Sequence, residues 1–385
     1  MEDEDEKLDK FMKKIREMDK KTVFPSIFGE VIKNMPTYTI IQCKETDKIQ
    51  FLYTKNKTNA DSCLLYVIVK QIPLKIIYYA KITHKYPKNE LDILFELQKK
   101  YKDDRTIMTI YGYIKMKEID KNHCCYSSKH FKNIKSPTIF HIMFLKPYGY
   151  ETLAKIINSP KISIENVLKL AMFSLSKLQH ENIVHFDIHL GNIVKDMVGK
   201  NKNFSVKIGN LGYDNIIASK KHLFMNFTLI DFSRAKIIKS EKDIPWDRFG
   251  QLYRHHLIDD PLLVDISSNL FQSSKIKKYE KKIENTFTVL LSKIKKNVKA
   301  NFKRYSKYIY YIDFIALVNI LMSVETSKKY IGILEKIYNI LTEGLLHHII
   351  NSNPPPARRI SEIYAEVFEL KDKPKYKLSL YIVPS

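Results

Sequence analysis

The sequence predicts an α+β fold in which a β-rich amino-terminal lobe precedes a helical carboxy-terminal lobe. Runs of β-branched and aromatic residues, separated by polar and turn-rich stretches, dominate the chain up to residue 146 and are typical of strands. Beyond that point apolar residues recur at helical spacing. Strands first and helices afterwards favour the α+β class over an alternating α/β order. A chain of 385 residues is long enough for two such lobes.

The individual elements follow from these patterns. In the amino-terminal lobe we predict one helix at 89–101, because Leu91, Leu94 and Leu97 line one side of it. The predicted strands of this lobe are 38–43, 49–53, 64–70, 76–82, 106–114 and 138–145. The predicted helices of the second lobe are 164–179, 249–257, 276–295, 308–322 and 329–350.

Changes in composition set the segment boundaries. The first residues alternate charge, and their apolar side chains fall at the spacing of a short amphipathic helix. Three consecutive prolines beginning at Pro354 end the helical body, and a strand-like stretch follows them. We therefore predict a helical extension at 1–20, lobes at 21–146 and 147–350, and a tail at 351–385.

The chain is strongly basic, with 65 Lys and Arg against 42 Asp and Glu and a formal net charge of +23. This charge fits an anionic partner held by a basic surface. It also fits coding bias, because Lys, Ile, Asn and Tyr are all abundant. Both interpretations stay open.

Three features predict an intracellular, cytoplasmic protein. The acidic amino terminus is unlike a secretory signal. No apolar run reaches the length of about 18 residues that a transmembrane helix needs. The four cysteines are irregularly spaced, which favours a reducing compartment over a disulfide framework.

Two short motifs carry chemistry. Residues 185–192 read His-Phe-Asp-Ile-His-Leu-Gly-Asn, and an apolar run at 227–230 leads into Asp231-Phe232-Ser233. The Asp187 carboxylate can orient an attacking hydroxyl, while Asn192 and Asp231 carry the oxygen ligands that Mg²⁺ prefers. These residue types in this order indicate phosphoryl transfer.

The two motifs resemble the catalytic loop and metal-binding strand of the protein-kinase-like superfamily. The chain is also similar in its overall composition to divergent serine/threonine kinases of large DNA viruses. The resemblance implies a bilobal protein-kinase-like fold that binds ATP and Mg²⁺. It makes Asp187 the catalytic base or hydroxyl-orienting residue and makes Asn192 and Asp231 the metal ligands. For a viral chain it implies the host cytoplasm or the virion as the location.

The resemblance also extends to nucleotide-binding residues in the amino-terminal lobe. Lys70 ends a Val-Ile-Val-Lys run like the strand whose lysine neutralises the phosphates, and Glu90 matches the helical glutamate that pairs with it. Lys81 is a rival for the same place. Gly29 and Val31 resemble the second half of a glycine-rich nucleotide loop.

Several positions depart from the usual kinase pattern. Phe186 replaces the arginine that reads an activating phosphate, so the resemblance implies no phospho-switch of that kind. His189 replaces the lysine that holds the transferred phosphate; it either contacts phosphate or hydrogen-bonds within the loop. Asp247 is our preferred anchor for the catalytic loop, which implies a very short activation segment, and Asp313 is the less favoured alternative.

Three functional hypotheses follow. The first is an atypical serine/threonine protein kinase with a protein substrate. The second is a small-molecule phosphotransferase similar to aminoglycoside or choline kinases, which His189 and a short activation segment favour. The third is a pseudokinase scaffold, favoured by the missing glycines of the nucleotide loop.

Overall fold

The computed structural model describes a large part of the chain, and up to residue 80 the backbone alone. The described residues are 40–42, 49–53, 62–69, 76–101, 104, 106–116, 139–145, 152–157, 162–196, 204–216, 226–246, 292, 294–324, 332–337, 339–340, 357–375 and 378–383. The predicted extension at 1–20, Gly29, Val31, Lys70 and Asp247 lie outside these residues.

The chain divides into two compact units. The first comprises Met1–Leu91 with Thr109–Pro147, and the second comprises Asp92–Met108 with Tyr148–Ser385. The carboxy-terminal tail therefore belongs to the second unit. The mixture of helices and small sheets agrees with the predicted α+β class.

The strands are numbered in chain order. They are β1 (Ile40–Gln42), β2 (Ile49–Tyr53), β3 (Ser62–Val69), β4 (Ile76–Thr83), β5 (Ile110–Met116), β6 (Phe140–Leu145), β7 (Ile183–Val184), β8 (Ile193–Asp196), β9 (Phe204–Ile208), β10 (Gly212–Ile216), β11 (Asn226–Leu229), β12 (Lys236–Ile237) and β13 (Leu378–Val383). All six strands predicted for the amino-terminal lobe are confirmed, with bounds that differ by a few residues.

The α-helices are also numbered in order. They are α1 (Lys88–Tyr101), α2 (Leu153–Ile156), α3 (Ile164–His180), α4 (Phe302–Tyr305), α5 (Tyr311–Val324) and α6 (Ile360–Val367). Three 3₁₀ turns cover Leu190–Asn192, Glu241–Asp243 and Ser306–Tyr310. Residues 294–300 and 332–337 are helical as well. The first segment begins inside the helix predicted at 276–295 and extends beyond it, and the second lies within the helix predicted at 329–350.

The first unit is built on one six-stranded sheet with the order β1-β2-β3-β4-β6-β5. Every neighbouring pair of strands is antiparallel. On β4 the side chains of Lys81 and Ile82 are both buried. The sheet thus places a lysine at a buried position, and such a lysine needs an anionic partner.

The core of the second unit forms around α3. The Ser163 side chain caps its first turn by accepting a hydrogen bond from the Asn166 N–H. Val167, Leu170 and Phe173 on this helix are almost fully buried. Helices α5 and α6 and strand β11 all pack against α3. Residues 311–318 of α5 are buried on every side, as the predicted helix at 308–322 implied.

The tail differs from the prediction. We expected the helical body to end at the prolines, but α6 follows them, with Ile360, Ile363 and Tyr364 buried. Strand β13 then pairs in parallel with β9 and completes a three-stranded sheet with β10. The expectation of a strand near the end is confirmed. None of the helices in the described ranges is long and apolar enough to cross a membrane.

Candidate active site

The loop that carries Asp187 leaves α3 through a tight turn. The helix ends at His180, and Asn182 adopts a left-handed conformation with a φ of 56°. The Asn182 side chain accepts a hydrogen bond from the Tyr310 hydroxyl at 3.2 Å. Strand β7 follows and pairs with β12. The turn and this short pairing fix the direction in which the chain enters residues 185–192.

Asp313 on α5 anchors the start of the loop. Its carboxylate is 2% exposed and accepts the His185 backbone N–H at 2.6 Å and the Phe186 N–H at 2.9 Å. Our preference for Asp247 as the anchor was therefore wrong, and the alternative is correct. The very short activation segment that the Asp247 anchor implied therefore loses its basis.

Burial has a large effect on the Asp313 carboxyl group. Loss of solvent raises its pKa to about 7, although its two backbone hydrogen bonds act in the opposite direction. The nearby Asp187 charge raises it further. The anchor thus titrates close to neutral pH.

Phe186 occupies a strained backbone conformation. Its φ is 58°, which is unfavourable for a bulky side chain. A left-handed residue of this kind costs about 1–2 kcal/mol. The buried Phe186 ring and the hydrogen bond from its N–H to Asp313 hold it in place. Such strain is typical of positions where the direction of the chain serves a site.

His185 has a structural role in this arrangement. The ring is fully buried and its Nε2 lies 3.0 Å from the Ile230 carbonyl oxygen. It also meets the Phe232 ring edge-on, with 4.9 Å between centroids. Burial lowers the pKa of the imidazole, so the ring stays neutral and donates from Nε2. His185 therefore ties the loop at 185–192 to the residues on both sides of Asp231.

Asn192 is bonded to Asp187. Its Nδ2 group donates to the Asp187 backbone oxygen at 2.9 Å and to Oδ2 at 3.2 Å. Both residues are buried. Because both hydrogen bonds use the amide nitrogen, the amide oxygen of Asn192 is the atom suited to a cation.

The pairing of β8 with β11 brings the second motif to the same place. Ile193 lies opposite Leu229, and the Ile230 N–H donates to the Asn192 carbonyl at 2.9 Å. Asn192 and Asp231 therefore stand at the same end of the ladder. Asp231 has a φ of 62°, which turns the chain sharply after the strand.

The donor set at this end fits Mg²⁺. An Asp carboxylate and an Asn amide oxygen are hard ligands, and magnesium sites commonly combine one or two carboxylates with substrate phosphates and water. No group of three or more His, Cys, Asp or Glu side chains that could hold a metal occurs among the described residues. Asn192 and Asp231 would thus hold the ion together with a phosphorylated ligand.

His189 hydrogen-bonds within the loop. Its Nδ1 accepts the Gly191 N–H at 3.0 Å and caps the 3₁₀ turn Leu190–Asn192. A Cβ on Gly191 would lie 2.8 Å from the His189 ring. The glycine thus makes room for the imidazole. The internal role that we considered for His189 is present, and its contact with phosphate stays a prediction.

Glu90 on α1 pairs with Lys81, the rival of the lysine that we preferred. The Lys81 Nζ lies 2.7 Å from Oε1 and 3.0 Å from Oε2, and both residues are buried. The predicted pairing of Glu90 with Lys70 lies outside the described residues, and the pair that the structure shows is Lys81–Glu90. Strand β4 and the short connection to α1 are sufficient to bring the two side chains together.

Arg234 is a site residue that the sequence analysis missed. Its Nη1 lies 3.1 Å from Asp187 Oδ1, and its side chain is 47% exposed. The residue belongs to the Asp231-Phe232-Ser233-Arg234 run. A cation so soon after the proposed metal ligand was a signal that could have been noticed.

Comparisons with known proteins do not assign the chain to a family. No family model matches the chain, and no curated protein matches it. A solved structure described as the Cydia pomonella granulovirus kinase PK-1 is similar at 13% identity and a TM-score of 0.29. The match covers 50% of this chain and 54% of that chain, so this chain spans about half of that kinase. A likeness at this level adds no argument to the geometry above.

Proposed function

We propose that this protein is an ATP- and Mg²⁺-dependent phosphotransferase, and specifically an atypical serine/threonine protein kinase. The observation that carries the proposal is the buried Asp187, held by Asn192 and Arg234 beside the turn that presents Asp231. A carboxylate fixed next to oxygen ligands for Mg²⁺ is the arrangement that phosphoryl transfer to a hydroxyl requires.

Each residue has a defined task in this reaction. Asp187 accepts a hydrogen bond from the acceptor hydroxyl and takes its proton. The hydroxyl oxygen forms a bond to the γ-phosphorus, the bond from that phosphorus to the β–γ bridging oxygen breaks, and ADP leaves. Asn192 and Asp231 would hold Mg²⁺, which neutralises the phosphate charge. Lys81, oriented by Glu90, would bind the nucleotide phosphates.

Two structural observations bear on the small-molecule alternative. The case for a small-molecule phosphotransferase rested on His189 and on a short activation segment. His189 caps a turn within the loop, and the Asp313 anchor removes the basis for a short segment. We therefore keep the protein kinase as the first candidate.

An acceptor panel tests the proposal. The purified chain with Mg²⁺ and radiolabelled ATP should label serine or threonine in itself or in basic and acidic carrier proteins. Labelling of an added hydroxyl metabolite without any phosphoprotein would favour the small-molecule enzyme. Thermal shift with Mg²⁺-ATP adds a second readout: stabilisation of the wild type that Asp231→Asn reduces supports the proposal, whereas no shift in either favours the scaffold.

A further inference from the structure

Arg234 lies over the carboxylate that the proposed reaction uses. The guanidinium contacts Asp187 Oδ1, and Asn192 contacts Oδ2, so each carboxylate oxygen has a donor. The side chain of Asp187 is 9% exposed while that of Arg234 is 47% exposed. The guanidinium therefore stands on the solvent side of a nearly buried carboxylate. A half-exposed ion pair of this kind contributes little to stability, so stability alone does not explain it.

The chemistry of the side chain suits a phosphate. Arginine stays charged at every physiological pH and carries five N–H donors in a planar fork that matches phosphate oxygens. The contact with Asp187 uses Nη1. The other N–H donors of the guanidinium can therefore bind an anionic oxygen while Nη1 contacts Asp187. By contrast, the ring of His189 is seated within the loop by its bond from Gly191.

The distances place the transferring phosphate within reach of this guanidinium. A hydroxyl oriented by Asp187 lies about 2.6–3.2 Å from the carboxylate. The phosphorus it attacks lies about 3–3.5 Å further on. Nη1 is 3.1 Å from the same carboxylate. The guanidinium and the reacting phosphorus would therefore both lie within about 7 Å of the same carboxylate.

We propose that Arg234 is a catalytic cation that binds the oxygens of the phosphoryl group during transfer. This inference rests on the proposed phosphotransferase function. Negative charge on the three equatorial oxygens must be balanced in the transition state, and a well-placed arginine contributes about 10³–10⁵-fold to the rate in other phosphoryl-transfer enzymes. The arginine forms no covalent bond and moves no proton, so the atom balance of the reaction is unchanged.

Steady-state kinetics of Arg234→Ala and Arg234→Lys test the inference. Arg234→Ala should lower kcat by about 100-fold or more with little change in the KM for ATP, because the lost contact forms in the transition state. Arg234→Lys should recover part of the rate. Guanidinium ion at non-denaturing concentration should partly restore Arg234→Ala and leave Asp187→Ala inactive. Arg304→Ala is the matched control, since that guanidinium packs on the Tyr305 ring, and it should behave as the wild type.

The outcomes separate this inference from the proposed function. If the wild type is active and Arg234→Ala transfers phosphate at an equal or higher rate, the inference is overturned. The proposed function would still stand. A rate loss that guanidinium ion does not restore, and that accompanies a lower melting temperature, would assign Arg234 a structural role and would overturn it too. A wild type without transfer activity would contradict the proposed function itself.

Discussion

Asp313 links the buried core to the loop that carries Asp187 through hydrogen bonds from two backbone N–H groups. The contact joins positions that are 128 residues apart in the chain. Sequence spacing alone could not choose between Asp247 and Asp313, because each lies in an apolar context that suits a helix. The choice depends on which helix packs beneath the loop, and that is a property of the tertiary fold.

The titration of Asp313 gives the first prediction. Its folded pKa of about 7 lies above the usual carboxyl value of 3.8, so the native state retains a proton that the unfolded chain loses. Its contribution to stability is complete below about pH 4 and is lost as pH rises through 7. The free energy of unfolding of the wild type should therefore fall relative to Asp313→Asn, by up to about 1.4 kcal/mol per pH unit.

Urea unfolding of both proteins at several values between pH 4 and 8 measures this difference. His185 acts in the opposite direction, because its lowered pKa makes stability rise with pH near 6.5. The comparison with Asp313→Asn removes that contribution. Asp372→Asn, at an exposed position, should show the wild-type profile. Parallel profiles for wild type and Asp313→Asn would contradict the prediction.

Gly191 gives a second prediction through its contact with His189. A methyl group at Gly191 would lie 2.8 Å from the His189 Cε1 atom, so Gly191→Ala should displace the imidazole and disturb the adjacent Asn192. Transfer activity should fall markedly. His189→Ala in the same chain should relieve the clash and recover part of the loss.

Gly332→Ala serves as the control for this substitution. Gly332 lies in the helical segment 332–337, and a Cβ there meets no atom within 4 Å. The change should stabilise the protein by about 0.5–1 kcal/mol without altering transfer. Equal activity of Gly191→Ala and Gly332→Ala would show that the glycine is not needed for the loop.

The strand and helix that hold Lys81 and Glu90 give the third prediction. Lys81→Met should abolish transfer and destabilise the first unit, because it leaves Glu90 buried without its partner, at a cost of about 3–5 kcal/mol. Lys70→Met should retain activity. ATP-dependent kinetics and thermal melting of both variants measure this. Loss of activity in Lys70→Met but not in Lys81→Met would instead assign nucleotide binding to Lys70.

Helix α6 is part of the core of the second unit. Tyr364 packs against Phe173 on α3 with 5.2 Å between ring centroids, and its hydroxyl donates to Asp214. Burial raises the pKa of the tyrosine well above its usual value, so the hydroxyl remains protonated. Lys169 also binds Asp214, at 2.9 Å. These contacts tie the tail to the helix that leads into the catalytic loop.

The fourth prediction follows from this packing. Tyr364→Ala should lower the free energy of unfolding by about 3–5 kcal/mol, as for other large aromatic truncations in a core. Glu366→Ala on the same helix removes only an exposed ion pair with Arg358 and should cost at most about 1 kcal/mol. Chemical denaturation measures the free energy of unfolding of each variant. Similar losses of this free energy in the two variants would mean that α6 is not part of the cooperative core.

Many of the described elements could be predicted from local patterns. Runs of β-branched and aromatic residues located the strands β1 to β6, and helical spacing located α1, α3 and α5. Helix α6 was missed because it is short and follows prolines, although its buried positions Ile360, Ile363 and Tyr364 do have helical spacing. Its burial depends on α3, which a local window cannot show.

Site residues that belong to one contiguous motif could be predicted from the sequence. Contacts between residues of different segments could not. Asp187 and Asn192 are five residues apart and were found together. The Arg234 contact with Asp187 and the Lys81–Glu90 pair depend on the conformation of the connecting segments. The spacing of residues in the sequence does not determine that conformation. The net charge of +23 still predicts an anionic partner or coding bias, and nothing in the fold decides between them.

The most direct test of the central claim is the Mg²⁺-dependent transfer of the γ-phosphate of ATP by wild type and Asp187→Ala, with Asp372→Ala as the matched control at an exposed carboxylate. The wild type and the control should transfer phosphate to a serine or threonine hydroxyl at equal rates. Asp187→Ala should lose at least about 100-fold while keeping the same melting temperature within a few degrees. Equal incorporation by wild type and Asp187→Ala would contradict the account.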